Sequence, residues 1–153
     1  MTSKRVIFVP IQYRLGTLGI IGDGSKEFSG NVALFDMLAA LRWINEYISF
    51  FGGDPNQVTV IGHGSGATSA SYLSMSDISE GMVNGVVAMS GSPLTKYAFD
   101  EQPVQSVKEI ASIHRCDSNK EIEIIKCLRK VFIVVYNLCS FYNLKQKGFK
   151  YEF

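Results

Sequence analysis

The chain of 153 residues is long enough for one domain with a sizeable hydrophobic core. Its composition, 46% hydrophobic and 19% charged, argues against an intrinsically disordered protein. The net charge of +1 provides no basic surface of the kind that binds nucleic acid.

The segment from Arg5 to Tyr13 reads RVIFVPIQY and is short, apolar and rich in β-branched and aromatic residues. This pattern predicts a strand that is buried on both faces. A signal peptide is the alternative, but Pro10 interrupts the apolar run and no small-residue cleavage site follows. The residues from Arg14 to Ser25 are rich in glycine and predict a loop.

A long amphipathic helix is predicted next, from Val32 to Phe51. Its apolar residues recur at three- and four-residue steps, at Leu34, Leu38, Leu41, Ile44, Ile48 and Phe51. This spacing places them on one face of a helix. Ser29-Gly30-Asn31 offers capping groups at its start, and Gly52-Gly53 is expected to end it.

Strands and helices continue to alternate after the turn predicted at Asp54-Pro55-Asn56. The pattern predicts strands at 57–62 and 83–91, a short helix at 67–75, and further helices at 103–114 and 119–130. Pro103 suits the first position of the helix that it opens. Apolar strands that alternate with helices predict an α/β fold, with a mostly parallel sheet covered on both faces.

The sequence changes character after Lys130. The most apolar segment there, from Val131 to Tyr142, is shorter than the roughly 20 residues that cross a bilayer, and Asn137 interrupts it. We therefore expect no membrane span in this sequence. Two histidines and three cysteines without a Cys-x-x-Cys pair do not form a zinc-site pattern, and no cofactor is expected.

Several motifs resemble the type-B carboxylesterases and cholinesterases, a family of α/β-hydrolases. The segment YRLGTLGIIGDG is similar to the family's Tyr-Arg-Leu-Gly-Pro-Leu-Gly, and AMSGSPL is similar to its Ser-Gly-Ser segment. The longest match is GNVALFDMLAALRWINEYISFFGGDPNQVTVIG, which resembles the family's signature up to the strand before the nucleophile. These motifs follow one another in the family's order across roughly residues 5 to 130.

The resemblance implies part of an α/β-hydrolase domain in residues 1–130, followed by a tail at 131–153 that does not match the family. Family members are several hundred residues long, so we expect a domain that is truncated at both ends. A glycine pair that supplies part of the oxyanion hole is expected before this sequence. The acid and the histidine of the catalytic triad are expected after it.

The nucleophile elbow of such an enzyme is a sharp strand-to-helix turn with small residues two positions either side of the serine. Family members carry Gly-Glu-Ser-Ala-Gly at this turn, and the sequence here is Gly62-His63-Gly64-Ser65-Gly66. The resemblance therefore puts Gly64 at the nucleophile position and Ser65 where a backbone N–H contributes to the oxyanion hole. Glycine has no oxygen that could attack an ester, so we predict no intact catalytic nucleophile.

Ser65 is the alternative nucleophile. One step into a helix turns a side chain by about 100°, and a frame centred on Ser65 puts His63 where a small residue is required. His63 could serve as a general base, but the sequence predicts no carboxylate to orient it, which favours a structural or surface role.

Three other titratable residues could be mistaken for catalytic groups. His114 ends a predicted helix, where it is expected to be solvated or to complement the helix dipole. Asp23 lies upstream of the elbow, whereas the acid of this family follows the serine. Asp36 lies near a helix start and is expected to accept hydrogen bonds that stabilise the fold.

Cys116 and Cys127 resemble a conserved disulfide loop of the family, with Leu-Arg after the second cysteine. Closing so short a loop would stabilise the fold by roughly 3 kcal/mol in the chain-entropy model. A disulfide would also imply the secretory route. The alternative is a pair of reduced thiols on adjacent helices, and we assign no role to Cys139.

The family includes members without the serine that act as adhesion or receptor ectodomains, such as the neuroligins, gliotactin, glutactin and neurotactin. The glycine at position 64 resembles this branch, which implies recognition of a cell-surface protein by a secreted or extracellular domain. Homodimers are common among these relatives. The alternatives are a carboxylic ester hydrolase that uses Ser65 on a small ester, and a truncated product whose open sheet edges prevent stable folding.

Overall fold

The computed structural model describes residues 6–118, 120 and 122–131. These residues form two compact units. The first comprises the described residues up to Ile21 together with Gly30–Glu101, and the second comprises Gly22–Ser29 and the described residues from Gln102 onward. The predicted tail at 131–153, with Cys139, lies outside the described residues apart from Val131.

The helices and strands of the described residues include, in chain order, α1 (Gly16–Ile20), α2 (Val32–Tyr47), β1 (Thr59–His63), α3 (Ser65–Met75), β2 (Gly85–Met89) and α4 (Pro103–Ile113). Short 3-10 helices lie at Ile48–Phe51, Asp77–Ser79 and Lys96–Ala98. Residues 122–131 of the second unit are also helical.

The long helix predicted at Val32–Phe51 is confirmed as α2 and the 3-10 turn that continues it. Gly52 ends the turn with φ at 79°, a left-handed conformation that suits glycine. The expected side-chain cap does not form. Asn31 lies before α2 with φ at 54°, its side chain makes no capping bond, and its carbonyl oxygen accepts hydrogen bonds from the N–H groups of Leu34 and Phe35.

The two strands form a parallel pair in which Ile61 lies beside Val87 and His63 beside Met89. Helix α3 is the crossover between them and packs against both. The predicted α/β arrangement of a parallel sheet with helices is confirmed, and among the described residues helix α3 covers one face of the strand pair. Ile61, Val87 and Met89 are exposed because α3 covers only one face of the pair.

Two predictions for the N-terminal segment are also wrong. The described residues 6–13 are not a strand, and the apolar side chains from Val6 to Val9 are exposed. A strand needs a neighbouring edge that exchanges hydrogen bonds with it, and no described residue pairs with this segment. The predicted glycine-rich loop contains α1, in which Gly19 is buried and a Cβ atom would overlap the carbonyl oxygen of Arg14.

The core of the first unit lies between α2 and α3. Its buried members are Met37, Leu38, Leu41 and Leu73. Ile11 and Tyr13 pack against this cluster although the segment that carries them pairs with no strand. Full burial of each such side chain contributes about 1.5–3 kcal/mol, so apolar packing holds α3, and with it the turn that precedes α3, in place.

A disulfide bond joins Cys116 and Cys127 in the second unit, which confirms the expected pair. Helix α4 begins at Pro103, as predicted, and residues 122–131 cover most of the helix predicted after it. The buried side chains of this unit include Val107, Ala111, Ile124, Ile125 and Leu128. No helix among the residues described is both long and apolar enough to cross a membrane.

Candidate functional site

The candidate site is the turn between β1 and α3. A single residue, Gly64, forms this turn. Gly64 follows the last residue of β1 and precedes the first residue of α3, with φ at 59° and ψ at −123°. Its N–H donates to the carbonyl oxygen of Met89 at 2.9 Å. Its carbonyl oxygen accepts from the N–H groups of Ala67 at 3.0 Å and Thr68 at 3.2 Å. Main-chain hydrogen bonds therefore attach this residue to both β2 and α3.

The glycines around the turn allow very close approaches of the backbone. A Cβ atom at Gly62 would overlap the carbonyl oxygen of Gly66 and lie 2.6 Å from the nitrogen of Ala67. A Cβ atom at Gly91 would overlap the carbonyl oxygen of Gly64 and lie 2.9 Å from the Cβ of Ala67. These positions exclude any side chain, because protein interiors do not accommodate such overlaps without a backbone shift.

Gly64 itself differs from these neighbours. A Cβ atom built on it meets no atom within 4 Å apart from those of its two chain neighbours. Its positive φ is easily adopted by glycine and is strained for other residues. The turn therefore presents an empty position where the resemblance expects the nucleophile, and no side-chain oxygen is there.

Ser65 and His63 lie on either side of this empty position, and both are exposed. Ser65 is the first residue of α3, and its carbonyl oxygen accepts a hydrogen bond from Oγ of Ser69 at 3.0 Å. Its N–H lies in the first helical turn, where the helix provides no acceptor. His63 ends β1, and no carboxylate of the described residues hydrogen-bonds to it. The described residues also hold no cluster of His, Cys, Asp and Glu suited to a metal ion.

Asp36 is engaged in a bidentate ion pair with Arg14. The guanidinium donates from Nε to Oδ2 at 2.8 Å and from Nη2 to Oδ1 at 2.6 Å, and the backbone N–H of Arg14 adds a third bond at 3.0 Å. These hydrogen bonds, the side-chain ones first, lower the pKa of the Asp36 carboxyl to about 2. This confirms Asp36 as a hydrogen-bond acceptor within the fold.

The remaining candidates lie away from the elbow in the chain. Asp23 belongs to the loop of the second unit, where its Oδ1 accepts from the N–H of Ser25 at 2.8 Å. His114 is the residue at which α4 ends, and it is half-buried. Both positions agree with local structural roles.

The motif Ser-Gly-Ser at residues 90–92 contributes to the elbow, although its sequence alone does not indicate this. Ser90 follows β2 with φ at 54°, which is uncommon for a residue with a side chain. Gly91 comes next and contacts the carbonyl of Gly64. The signal was present in the glycine of this motif, but no local pattern shows which distant backbone a glycine must approach.

Comparison with known proteins identifies the family. A model described as the carboxylesterase family matches residues 1–133. Neuroligin-3 of Mus musculus is 39% identical over 125 residues, which are 82% of this chain and 15% of that protein. Neuroligin-2 of Mus musculus is 38% identical over the same length and the same shares.

An insect enzyme is similarly close. Esterase E4 of Myzus persicae is 41% identical over 129 residues, which are 84% of this chain and 23% of the esterase. The chain thus matches between 15% and 23% of the length of these relatives. The family match over most of the chain, on a strand, glycine turn and helix in the order of an α/β-hydrolase elbow, shows that this chain belongs to the carboxylesterase family.

Proposed function

We propose that this chain is part of a catalytically silent carboxylesterase-like domain that recognises another protein at the cell surface. The observation that carries the proposal is Gly64, which occupies the tip of the strand-to-helix turn and has no side chain. Ester hydrolysis in this family needs a nucleophilic oxygen at that point. Without one, a substrate that reached Gly64 would meet no side-chain oxygen at that position.

The neighbouring serine does not supply the missing oxygen in the same place. Ser65 is already within α3, where each residue rotates the side-chain direction by about 100° relative to the one before it. In this family the residue after the nucleophile donates its backbone N–H to the oxyanion, and Ser65 occupies that position after Gly64. If Ser65 were the nucleophile, a different backbone N–H would have to take over this role. The turn at Gly64 therefore favours loss of catalysis over its displacement by one residue.

The recognition role and the location have separate support. The disulfide between Cys116 and Cys127 suits an oxidising compartment, and hence secretion or the outer face of the plasma membrane. Relatives named neuroligin match at 37–39% identity, and the resemblance to that branch implies adhesion, a cell-surface protein as partner and a capacity to form homodimers. No cofactor enters this proposal.

An ester hydrolase is the second candidate, and two observations favour it. The side chain of Ser65 is exposed one residue from the tip, and Esterase E4 is 41% identical to this chain. Identity to esterases and to neuroligins is thus nearly equal, so overall similarity does not separate the two functions. The chemistry at position 64 is what separates them.

Fluorophosphonate labelling of the longest form of the protein that can be expressed tests the chemical part. We expect no covalent label on the folded wild-type protein and none on Ser65→Ala. Label on the wild type that disappears in Ser65→Ala would contradict the proposal and establish a displaced nucleophile. Esterase E4 provides the positive control for the probe.

The recognition part needs a separate experiment. Purified protein is added to intact cells, and its binding is compared before and after mild protease treatment of the cell surface. We expect saturable binding that the protease removes, and equal binding of Ser65→Ala. Binding that survives complete removal of surface proteins would refute recognition of a protein.

A further inference from the structure

The atoms around Gly64 indicate whether the turn could still hold a reactive side chain. We infer that Gly64 is a latent nucleophile position, which means that the turn is retained, that a side chain has room there, and that the turn itself lacks only the reacting atom. This inference rests on the proposed function, because it takes Gly64 as the emptied position of the elbow.

The first line of argument is the contrast among the glycines at the turn. Gly62 and Gly91 are surrounded by main-chain atoms that a Cβ would overlap. Gly64 is half-buried and, apart from its two chain neighbours, has no atom within 4 Å of the same point, although its main chain contacts Met89 of β2 and lies against Gly91. A side chain at position 64 therefore has room in this structure without displacement of any neighbouring segment.

The second line is that the backbone is fixed independently of any side chain at this position. Hydrogen bonds to Met89, Ala67 and Thr68 use only main-chain groups of Gly64. A substitution there leaves these donors and acceptors in place. The cost of a side chain is then confined to the positive φ, since no contact has to move.

A cysteine substitution converts this argument into a measurable reaction. In Gly64→Cys, the thiolate sulfur attacks the methylene carbon of iodoacetamide, a C–S bond forms as the C–I bond breaks, iodide leaves with the bonding electrons, and the thiol proton passes to the buffer. The start of α3 favours the thiolate, as helix N-termini do. This reaction needs neither a catalytic acid nor a catalytic histidine.

The matched control is Ser74→Cys, which places an exposed thiol in the last turn of the same helix. Both variants are made with Cys139→Ser, so that this third cysteine does not contribute to the signal. A thiol whose pKa is lower by one unit has about tenfold more thiolate at neutral pH. Each thiolate is then less nucleophilic, which reduces the gain in rate by about threefold. We therefore expect alkylation of Gly64→Cys at pH 7 to be roughly threefold faster than that of Ser74→Cys.

The outcomes separate this inference from the proposed function. Equal or slower alkylation of Gly64→Cys in the folded protein overturns the inference, since it means a covered position or an altered turn. Failure of Gly64→Cys to fold also overturns it if Gly64→Ala fails as well, because the inference requires room for a side chain. If Gly64→Ala folds and Gly64→Cys does not, the room is limited to a methyl group and the inference is again wrong. Fluorophosphonate labelling of the wild type at Ser65 would instead contradict the proposed function, because it would show an active nucleophile.

Discussion

In the first unit, Gly64 joins a strand to a helix through main-chain hydrogen bonds to Met89, Ala67 and Thr68. In the second unit, a covalent bond joins Cys116, just after α4, to Cys127. The elbow thus depends on backbone geometry and on positions that exclude side chains, whereas the second unit depends on a side-chain bond between the segment after α4 and the helical residues 122–131. A catalytic side chain can consequently be lost from the elbow while the turn persists, but loss of a cysteine removes the bond itself.

The largest expected effect is loss of the disulfide. The double substitution Cys116→Ala and Cys127→Ala opens a loop with a sequence separation of 11 residues. We expect the free energy of unfolding of the second unit to fall by about 3 kcal/mol, because the unfolded chain gains entropy. Hydrogen exchange measured by mass spectrometry should show lost protection in peptides from residues 103–131 and retained protection at the elbow.

The control for this experiment is Cys139→Ser, which removes a cysteine without touching the bond. Equal loss of protection at the elbow and in residues 103–131 would contradict the expectation that the disulfide stabilises the second unit more than the elbow. Treatment of the wild type with dithiothreitol should reproduce the effect of the double substitution.

A smaller effect is expected from filling the close contact at Gly62. In Gly62→Ala the new methyl group overlaps the carbonyl of Gly66, so the start of α3 has to move. Overpacking of this kind costs about 1–3 kcal/mol, and we expect the upper part of that range because main-chain atoms are involved. Urea unfolding followed by circular dichroism measures the change.

Gly64→Ala is the matched control, since it adds the same methyl group at the same turn with no contact within 4 Å. Its cost should be about 1–3 kcal/mol, from the positive φ alone, and smaller than that of Gly62→Ala, which adds a main-chain overlap. A Gly64→Ala variant that is less stable than Gly62→Ala would contradict the distinction between the crowded glycine and the empty one.

The smallest effect concerns the ion pair of the first unit. The pKa of Asp36 is lowered to about 2 by the hydrogen bonds from Arg14, so the pair stabilises the fold above the ordinary carboxyl pKa of 3.8. This stabilisation is lost as the pH falls from about 4 towards 2 and the carboxylate is protonated. Its contribution is small because 58% of the Arg14 side chain is exposed and solvent screens the charges.

Titration of Asp36 by NMR tests this pair. In Arg14→Gln the pKa of Asp36 should return towards 3.8. Arg14→Lys keeps the charge but lacks the two-pronged geometry of guanidinium, so it should give an intermediate value. An unchanged pKa in Arg14→Gln would mean that another group holds the carboxylate in its charged form.

The sequence by itself determined those features that depend on neighbours along the chain. Periodic apolar residues specify α2 because a helix repeats every 3.6 residues, and Gly52 ends it because only the local conformation matters there. The succession of an apolar strand, glycines and small residues likewise specifies the elbow from Thr59 to Met75. The cysteine pair was indicated by resemblance, not by its spacing.

Only the tertiary structure decided the features that depend on partners distant in the chain. Residues 6–13 have the composition of a strand but pair with no strand among the described residues, and composition does not reveal which partner a strand will find. The sequence shows that Gly62, Gly64 and Gly91 are glycines, but not that two of them are crowded and one is open. That difference lies in the distances between separate segments, because whether a side chain fits is decided by the atoms that folding brings around it.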